Sequence, residues 1–202
     1  MHMITIPAKR GWTNTCDACK KEACKRAVPI TSSVRSDILF LRLSPTEREV
    51  EQERLWIGEP MVSFNQLLMR HTGKSIEEFS TAFLCRCPLE KAQTKHVRNC
   101  ADSFVKAFRV SQWKAVVACG TQVLRYTAMR GGSPPPLNTL CGRPVKVREY
   151  GSLPFITIPD PTTLLNLTGD PASYFYNPQK ELLERRRQMI RALAPIAEIL
   201  NA

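Results

Sequence analysis

Trp113-Lys-Ala-Val-Val-Ala118, followed by Gly120-Thr121, is the stretch of the 202-residue chain that decides its fold class. A short apolar run rich in β-branched residues is typical of a buried strand. The residues after Gly120 continue to about Met129 with the pattern of a helix. A buried strand that leads directly into a helix is the repeating unit of α/β proteins, whose strands are mainly parallel.

Similar units occur on both sides of this stretch. Three other apolar runs are predicted to be buried strands: Asp37-Ile-Leu-Phe-Leu41, Phe79-Ser-Thr-Ala-Phe-Leu84 and Phe155-Ile-Thr-Ile158. Helical spacing predicts helices over 62–70, 94–108 and about 178–200. The charged segment 46–54 is interpreted as a loop or solvated helix, and 145–148 is a candidate for a further short strand. We therefore predict a three-layer αβα fold with a central, mainly parallel, four-stranded sheet.

This topology predicts where functional residues lie. Open α/β sheets bind their ligands beyond the carboxyl ends of the parallel strands. We therefore expect the chemistry of the protein directly after Leu41, Leu84, Cys119 and Ile158.

The predicted C-terminal helix over 178–200 is basic and amphipathic. Apolar residues such as Leu193 and Ile196 recur on one face, and Arg185, Arg187 and Arg191 fall largely on the remainder. This pattern predicts that the helix packs on the sheet. Docking of a protein partner on its apolar face is the alternative.

The composition indicates a folded protein with a polyanionic partner. Hydrophobic residues make up 43% of the chain and charged residues 23%, and the length favours a single domain over residues 1–202. The sequence contains neither the ~20-residue apolar run of a membrane span nor a recognisable signal peptide, so we expect an intracellular protein in a reducing compartment. The net charge of +11 favours nucleic acid as the partner, because each basic side chain that neutralises a phosphate releases a counterion.

Eight cysteines in such a protein are not expected to form disulfides. Cys16 and Cys19 form a short chelating pair, and Cys85 and Cys100 complete a candidate set of four thiolates. This set suits either a zinc ion or a [4Fe–4S] cluster, and spacing alone does not separate the two. Three alternatives remain: Cys87 in place of Cys85, Cys24 in place of Cys19, or eight packing residues without a metal.

The order of motifs resembles that of the cluster-bearing uracil-DNA glycosylases. The first cysteine pair and the strand 37–41 are followed by Gly58-Glu-Pro-Met-Val62, and Cys85-Arg86 precedes Cys100 by fourteen intervening residues. Leu140-Cys-Gly-Arg143 and the segment 155–165 are similar to the closing part of that family, and the resemblance covers about residues 11–165. It implies a uracil-DNA glycosylase-like fold and a [4Fe–4S] cluster held by Cys16, Cys19, Cys85 and Cys100.

The chain departs from this family at all four chemical positions. Leu43 stands where the family has an acid, and Asp160 where it has the histidine that stabilises the departing base. Met61 replaces the phenylalanine that stacks on the flipped uracil, and Thr81 replaces the asparagine that reads the base edge. These four replacements predict an inactive catalytic site, although nearby Glu47 or Glu49 could stand in for the missing acid.

The resemblance and the departures together predict a non-catalytic protein that binds double-stranded DNA. A role as a processivity factor of a DNA polymerase follows by analogy with viral proteins of this fold. The candidate phosphate contacts are basic and hydroxyl side chains near the carboxyl edge of the sheet: Arg42, Arg86, Lys91, Thr162 and Thr163. The alternatives are an active glycosylase for uracil or another damaged base, using Glu47, Glu49 or Asp160, and a cluster-bearing electron carrier.

Overall fold

The computed structural model describes residues 36–88, 97–98, 100, 113–127, 133, 135–147, 153–165 and 177–201. These residues form an α/β fold around one five-stranded sheet with the strand order β2-β1-β3-β5-β4. The strands are β1 (Ile38–Arg42), β2 (Ser80–Phe83), β3 (Ala115–Cys119), β4 (Pro144–Val147) and β5 (Leu153–Ile158).

The sheet is mostly parallel, as predicted, but it has five strands rather than four. Strands β2, β1, β3 and β5 pair in parallel, and β4 pairs antiparallel with β5 through the partners Val145 and Phe155. The hydrophobic signal of β4 is weak because Pro144 and Lys146 are exposed at the edge of the sheet. An edge strand of this kind does not produce the continuous apolar run that identifies a buried strand.

The central strands are continuous apolar runs in the sequence because both of their faces are covered by other residues. All five residues of β1 are buried. Leu39 and Leu41 belong to one core cluster, and Ile38 and Phe40 belong to the other. The two clusters lie on opposite faces of the sheet, since successive side chains of a strand point to opposite sides.

Five α-helices lie wholly within the described part of the chain, where they connect or cover the strands. They are α1 (Glu47–Glu51), α2 (Glu59–Thr72), α3 (Thr121–Thr127), α4 (Leu137–Leu140) and α5 (Pro178–Asn201). Short 3-10 helices occur at Ile76–Glu78 and Pro161–Thr163. The predicted helix over 94–108 lies mostly outside the described residues, although Val97 and Cys100 are helical.

Helices α2 and α5 cover one face of the sheet, and α3 contributes to the other. Helix α2 ends at Gly73, which has the left-handed φ of 72° that a helix stop requires. Helix α5 buries Met189, Ala192, Leu193 and Ile196 in the core cluster that it shares with α2. This confirms that the C-terminal helix packs on the sheet.

Among the described residues, no helix combines the length and the apolar character needed to cross a membrane.

Candidate functional site

The carboxyl ends of four strands meet at one edge of the sheet, where the sequence predicts the functional residues. The Cys85 amide donates to the Leu43 carbonyl at 2.7 Å, which joins the segments that follow β2 and β1. The Gly120 amide donates to the Ile158 carbonyl at 2.9 Å, and a Cβ at Gly120 would lie 3.4 Å from Cβ of Asp160. The structure thus brings Leu43, Cys85 and Asp160 to one edge, which we call the carboxyl edge.

A buried ion pair lies directly beside this edge. Arg42, the last residue of β1, donates from Nη1 to Oε1 of Glu49 at 2.7 Å, and the two side chains are 1% and 0% exposed. The guanidinium lies 5.0 Å from the ring centre of Trp56 and 5.2 Å from that of Phe83. Its cationic plane is therefore enclosed by two aromatic rings and one carboxylate.

The Glu49 carboxylate accepts four hydrogen bonds. Besides Arg42, its donors are the amide of Trp56 to Oε1 at 2.6 Å and the amide and hydroxyl of Thr46 to Oε2 at 2.7 and 3.0 Å. Thr46 in turn accepts from the amide of Glu49, which completes a capping box at the start of α1. Since both carboxylate oxygens are occupied and buried, Glu49 is a structural acid and is not available to attack or polarise a substrate.

The loop after α1 takes an unusual conformation to reach this carboxylate. Glu53 and Trp56 have φ values of 50° and 59°, in the left-handed region that residues other than glycine rarely adopt. Such a conformation persists only when the surroundings fix it, and here Trp56 donates to Glu49 and stacks on Phe64 with ring centres 5.8 Å apart. The interpretation of 46–54 as a solvated segment is therefore wrong for Glu49 and Val50, which are both buried.

The same geometry corrects the prediction that Arg42 contacts DNA. Its side chain is 1% exposed and its charge is paired with Glu49. A phosphate contact would require this pair to separate. The sequence predicts a phosphate contact for Arg42 because it lies at the carboxyl end of a strand, whereas the structure makes it a core residue.

Asp160 has a structural role at the carboxyl edge. Its Oδ1 accepts from the amide and the hydroxyl of Thr162 at 2.9 and 2.8 Å, which caps the 3-10 helix Pro161–Thr163. The Thr163 hydroxyl donates to the carbonyl of Asp160 at 2.8 Å. Because a phosphate oxygen only accepts, neither threonine hydroxyl has its proton available for phosphate in this arrangement.

The remaining replaced positions are also occupied by packing residues. Met61, in the first turn of α2, is 3% exposed, and Thr81, inside β2, is 5% exposed. Leu43 packs against the core cluster that contains Leu41 and Cys85. Met61 and Thr81 therefore present no open face to a flipped base, whereas Leu43 is partly exposed.

Two of the four predicted cluster ligands lie in the described part of the chain. Cys85 and Cys100 are 0% and 5% exposed and belong to the same core cluster. Cys87 is buried as well. Within the described ranges, no group of three or more potential metal ligands occurs, and the other predicted ligands, Cys16 and Cys19, lie outside those ranges, as does the alternative Cys24.

Arg86 and Lys91 are the other two basic residues predicted to contact phosphate. Arg86 is half-buried beside Cys85 at the carboxyl edge and stays a prediction. Lys91 lies outside the described residues.

Cys119 ends β3 as a core thiol, as the sequence indicates. Burial raises its pKa well above the usual range, and the nearby Asp160 carboxylate raises the pKa further. The folded protein therefore retains this proton at a pH where the unfolded chain, with a thiol pKa of about 8.5, loses it. The contribution of Cys119 to stability is complete below about pH 8.5 and is lost as the pH rises above that value.

The raised pKa of Cys119 can be tested by measuring stability at alkaline pH. Between about pH 8 and 10, the free energy of unfolding of the natural protein should fall more steeply with pH than that of Cys119→Val. Urea denaturation across this range measures both slopes. Equal slopes would show that the Cys119 thiol titrates alike in the folded and unfolded chains.

The sequence does not reveal that Arg42 pairs with Glu49, or that Thr46 and Trp56 donate to the same carboxylate. Thr46-x-x-Glu49 has the pattern of a capping box, and this signal could have identified the start of α1. No local pattern indicates that the Glu49 carboxylate also receives Arg42 and Trp56, because those contacts depend on the path of the loop.

No known family model matches the chain, and no curated protein matches it.

Proposed function

We propose that this chain is a DNA-binding iron–sulfur protein with a uracil-DNA glycosylase-like fold and an inactive catalytic site. It binds double-stranded DNA without cleaving the glycosidic bond and acts as an accessory, processivity-type factor of a DNA polymerase. The motif order of the sequence and the net charge of +11 support the DNA-binding part of the proposal.

The observation that best supports the loss of catalysis is that the Glu49 carboxylate is buried and fully hydrogen-bonded. Glu49 is a candidate for the missing acid, and it is 0% exposed with four donors directed at it. A general base must reach the proton or water that it activates. Glu49 cannot do so without dismantling the ion pair with Arg42.

Asp160 is the second residue of the carboxyl edge that supports the loss of catalysis. The family's histidine stabilises negative charge on the departing base, whereas a carboxylate there would oppose it. The Oδ1 atom of Asp160 also accepts hydrogen bonds from the amide and the hydroxyl of Thr162, and so caps the 3-10 helix that follows. The residues at the carboxyl edge therefore stabilise the fold at positions where the glycosylases that the sequence resembles have catalytic groups.

The proposed cluster is a structural element. Cys85 and Cys100 supply two buried thiols from one core region, and Cys16 and Cys19 are proposed to supply the other two. A [4Fe–4S] cluster held in this way would join the N-terminal segment to the residues that follow β2. Its presence is tested by the iron and acid-labile sulfide content of the purified protein, and zinc without sulfide would overturn it.

The catalytic part is tested by single-turnover excision with excess protein on duplex U·G and single-stranded uracil substrates. We expect intact uracil together with a mobility shift of the duplex. Release of uracil by the natural protein would overturn the proposal and favour an active glycosylase with an unusual catalytic set.

A variant that restores two of the missing catalytic groups makes this test more specific. We expect Leu43→Glu with Asp160→His to remain inactive, because Met61 lacks the ring that stacks on the base and Thr81 lacks the amide that reads its edge. Excision by this double variant would show that only the two chemical groups are missing. The natural protein and the single variant Asp160→His serve as controls.

A further inference from the structure

A group of exposed cations lies on helix α5 and on and beside the edge strand β4. Arg187 and Arg191 are one turn apart on the solvent face of α5, opposite its buried residues. Arg143 and Lys146 are exposed on and beside the edge strand β4. We call these four residues the flank patch.

The backbone brings the two halves of the flank patch together. A Cβ built at Gly142 would lie 2.8 Å from the carbonyl oxygen of Arg191 and 3.2 Å from Cα of Ala192. The Cys141 thiol donates to the carbonyl of Gln188 at 3.5 Å. The segment that carries Arg143 therefore runs against the turn of α5 that carries Arg191.

Strand alternation places Lys146 on the same side of the sheet as α5. Val145 packs against the core cluster on the α3 face. Its neighbours Pro144 and Lys146 therefore point to the opposite face, where α5 packs against Ile156 and Ile158. The flank patch thus combines an edge strand and a helix on one side of the molecule.

Little negative charge compensates the flank patch. In the described part of the chain, Arg143, Lys146 and Arg191 form no ion pair. Arg187 pairs with Glu184 at 3.9 Å, with side chains 59% and 48% exposed. An exposed pair of this length contributes little and leaves the guanidinium accessible.

We infer that the flank patch binds the phosphate backbone of duplex DNA. Among the described residues, only one of these four cations, Arg187, is paired with an acid. The flank patch therefore keeps an excess of positive charge, and a polyanion is the partner that this charge fits. The inference rests on the proposed function and specifies its DNA-contacting surface. Its phosphate contacts are side chains of α5 and of β4 and the residue before it, whereas Arg42, Thr162 and Thr163 are engaged in contacts within the protein.

The experiment is a fluorescence-anisotropy titration of the full chain with a fluorescein-labelled 20-base-pair duplex at several salt concentrations. The test variant is Arg143→Ala, Arg187→Ala, Arg191→Ala. The control variant is Arg48→Ala, Arg70→Ala, Lys74→Ala, which removes three exposed positive charges from another part of the surface. Circular dichroism melts check that both variants fold.

If the flank patch binds phosphate, the test variant loses roughly 100-fold in affinity at 0.1 M salt, and its salt slope falls by about 2–3, since each phosphate contact contributes about 0.9. The control variant stays within a few fold of the natural protein. Replacing the same three arginines with lysine restores most of the affinity, because the contact requires charge rather than a particular side chain.

The other outcomes overturn the inference in distinguishable ways. Equal losses in the test and control variants would mean that DNA responds to the overall charge rather than to the flank patch. Unchanged affinity of the test variant, with tight binding by the natural protein, would place DNA elsewhere and leave the proposed function intact. Absence of duplex binding by the natural protein would overturn the proposed function and this inference together.

Discussion

Replacing Glu49 with glutamine is expected to lower the free energy of unfolding by about 3–5 kcal/mol, because it leaves the Arg42 guanidinium buried without its counter-charge. The pair is 2.7 Å long and both side chains are buried. The new amide group would also direct a donor at the amide of Thr46 or Trp56, which now donate to the carboxylate. Urea denaturation at neutral pH measures the change.

Two comparisons separate this effect from a general loss of charge. Glu47→Gln, on the exposed side of the same short helix, should stay within about 0.5 kcal/mol of the natural protein. Arg42→Met with Glu49→Leu should recover only part of the lost stability. Removing both charges leaves neither unpaired, but the amides of Thr46 and Trp56 lose their acceptor. A change below about 1 kcal/mol for Glu49→Gln would contradict the buried pair.

The same double variant also bears on function. Arg42 and Glu49 are both buried, so removing their two charges together leaves the net charge and the exposed surface unchanged. Duplex affinity should therefore equal that of the natural protein.

The architecture was largely predictable because the central strands are covered on both faces. The runs that contain Ile38–Arg42 and Ala115–Cys119 are buried throughout, and continuous burial requires continuous apolar sequence. The edge strand Pro144–Val147 appeared only as a candidate, since one of its faces is exposed. Helix α5 was predictable because its one buried stripe produces a clear period.

The place of the candidate site was predictable, but the state of its residues was not. Parallel topology alone sends Leu43, Cys85 and Asp160 to the carboxyl edge. Whether a charged residue near that edge faces water or the core depends on the loop from Gln52 to Gly58. Two of its non-glycine residues take left-handed φ values, which propensity does not predict, so Arg42 and Glu49 were both assigned to the surface.

Replacing Gly142 with alanine is expected to lower the free energy of unfolding by about 2–5 kcal/mol. A residue with a Cβ at its φ of 70° costs about 1–2 kcal/mol, and the added carbon would meet the carbonyl oxygen of Arg191 at 2.8 Å. That oxygen belongs to the backbone of α5, so relief requires the helix to shift on the sheet. Overpacking of this kind adds about 1–3 kcal/mol.

Gly73 provides a matched control for this substitution. It has nearly the same φ of 72°, but a Cβ there would have no atom within 4 Å. Gly73→Ala should therefore lose only the conformational part, about 1–2 kcal/mol, and the difference between the two variants in urea denaturation measures the contact between Gly142 and α5. Equal losses would mean that α5 does not approach Gly142 closely. Because that contact brings Arg143 beside Arg191, a large difference in stability would also support the geometry on which the flank patch depends.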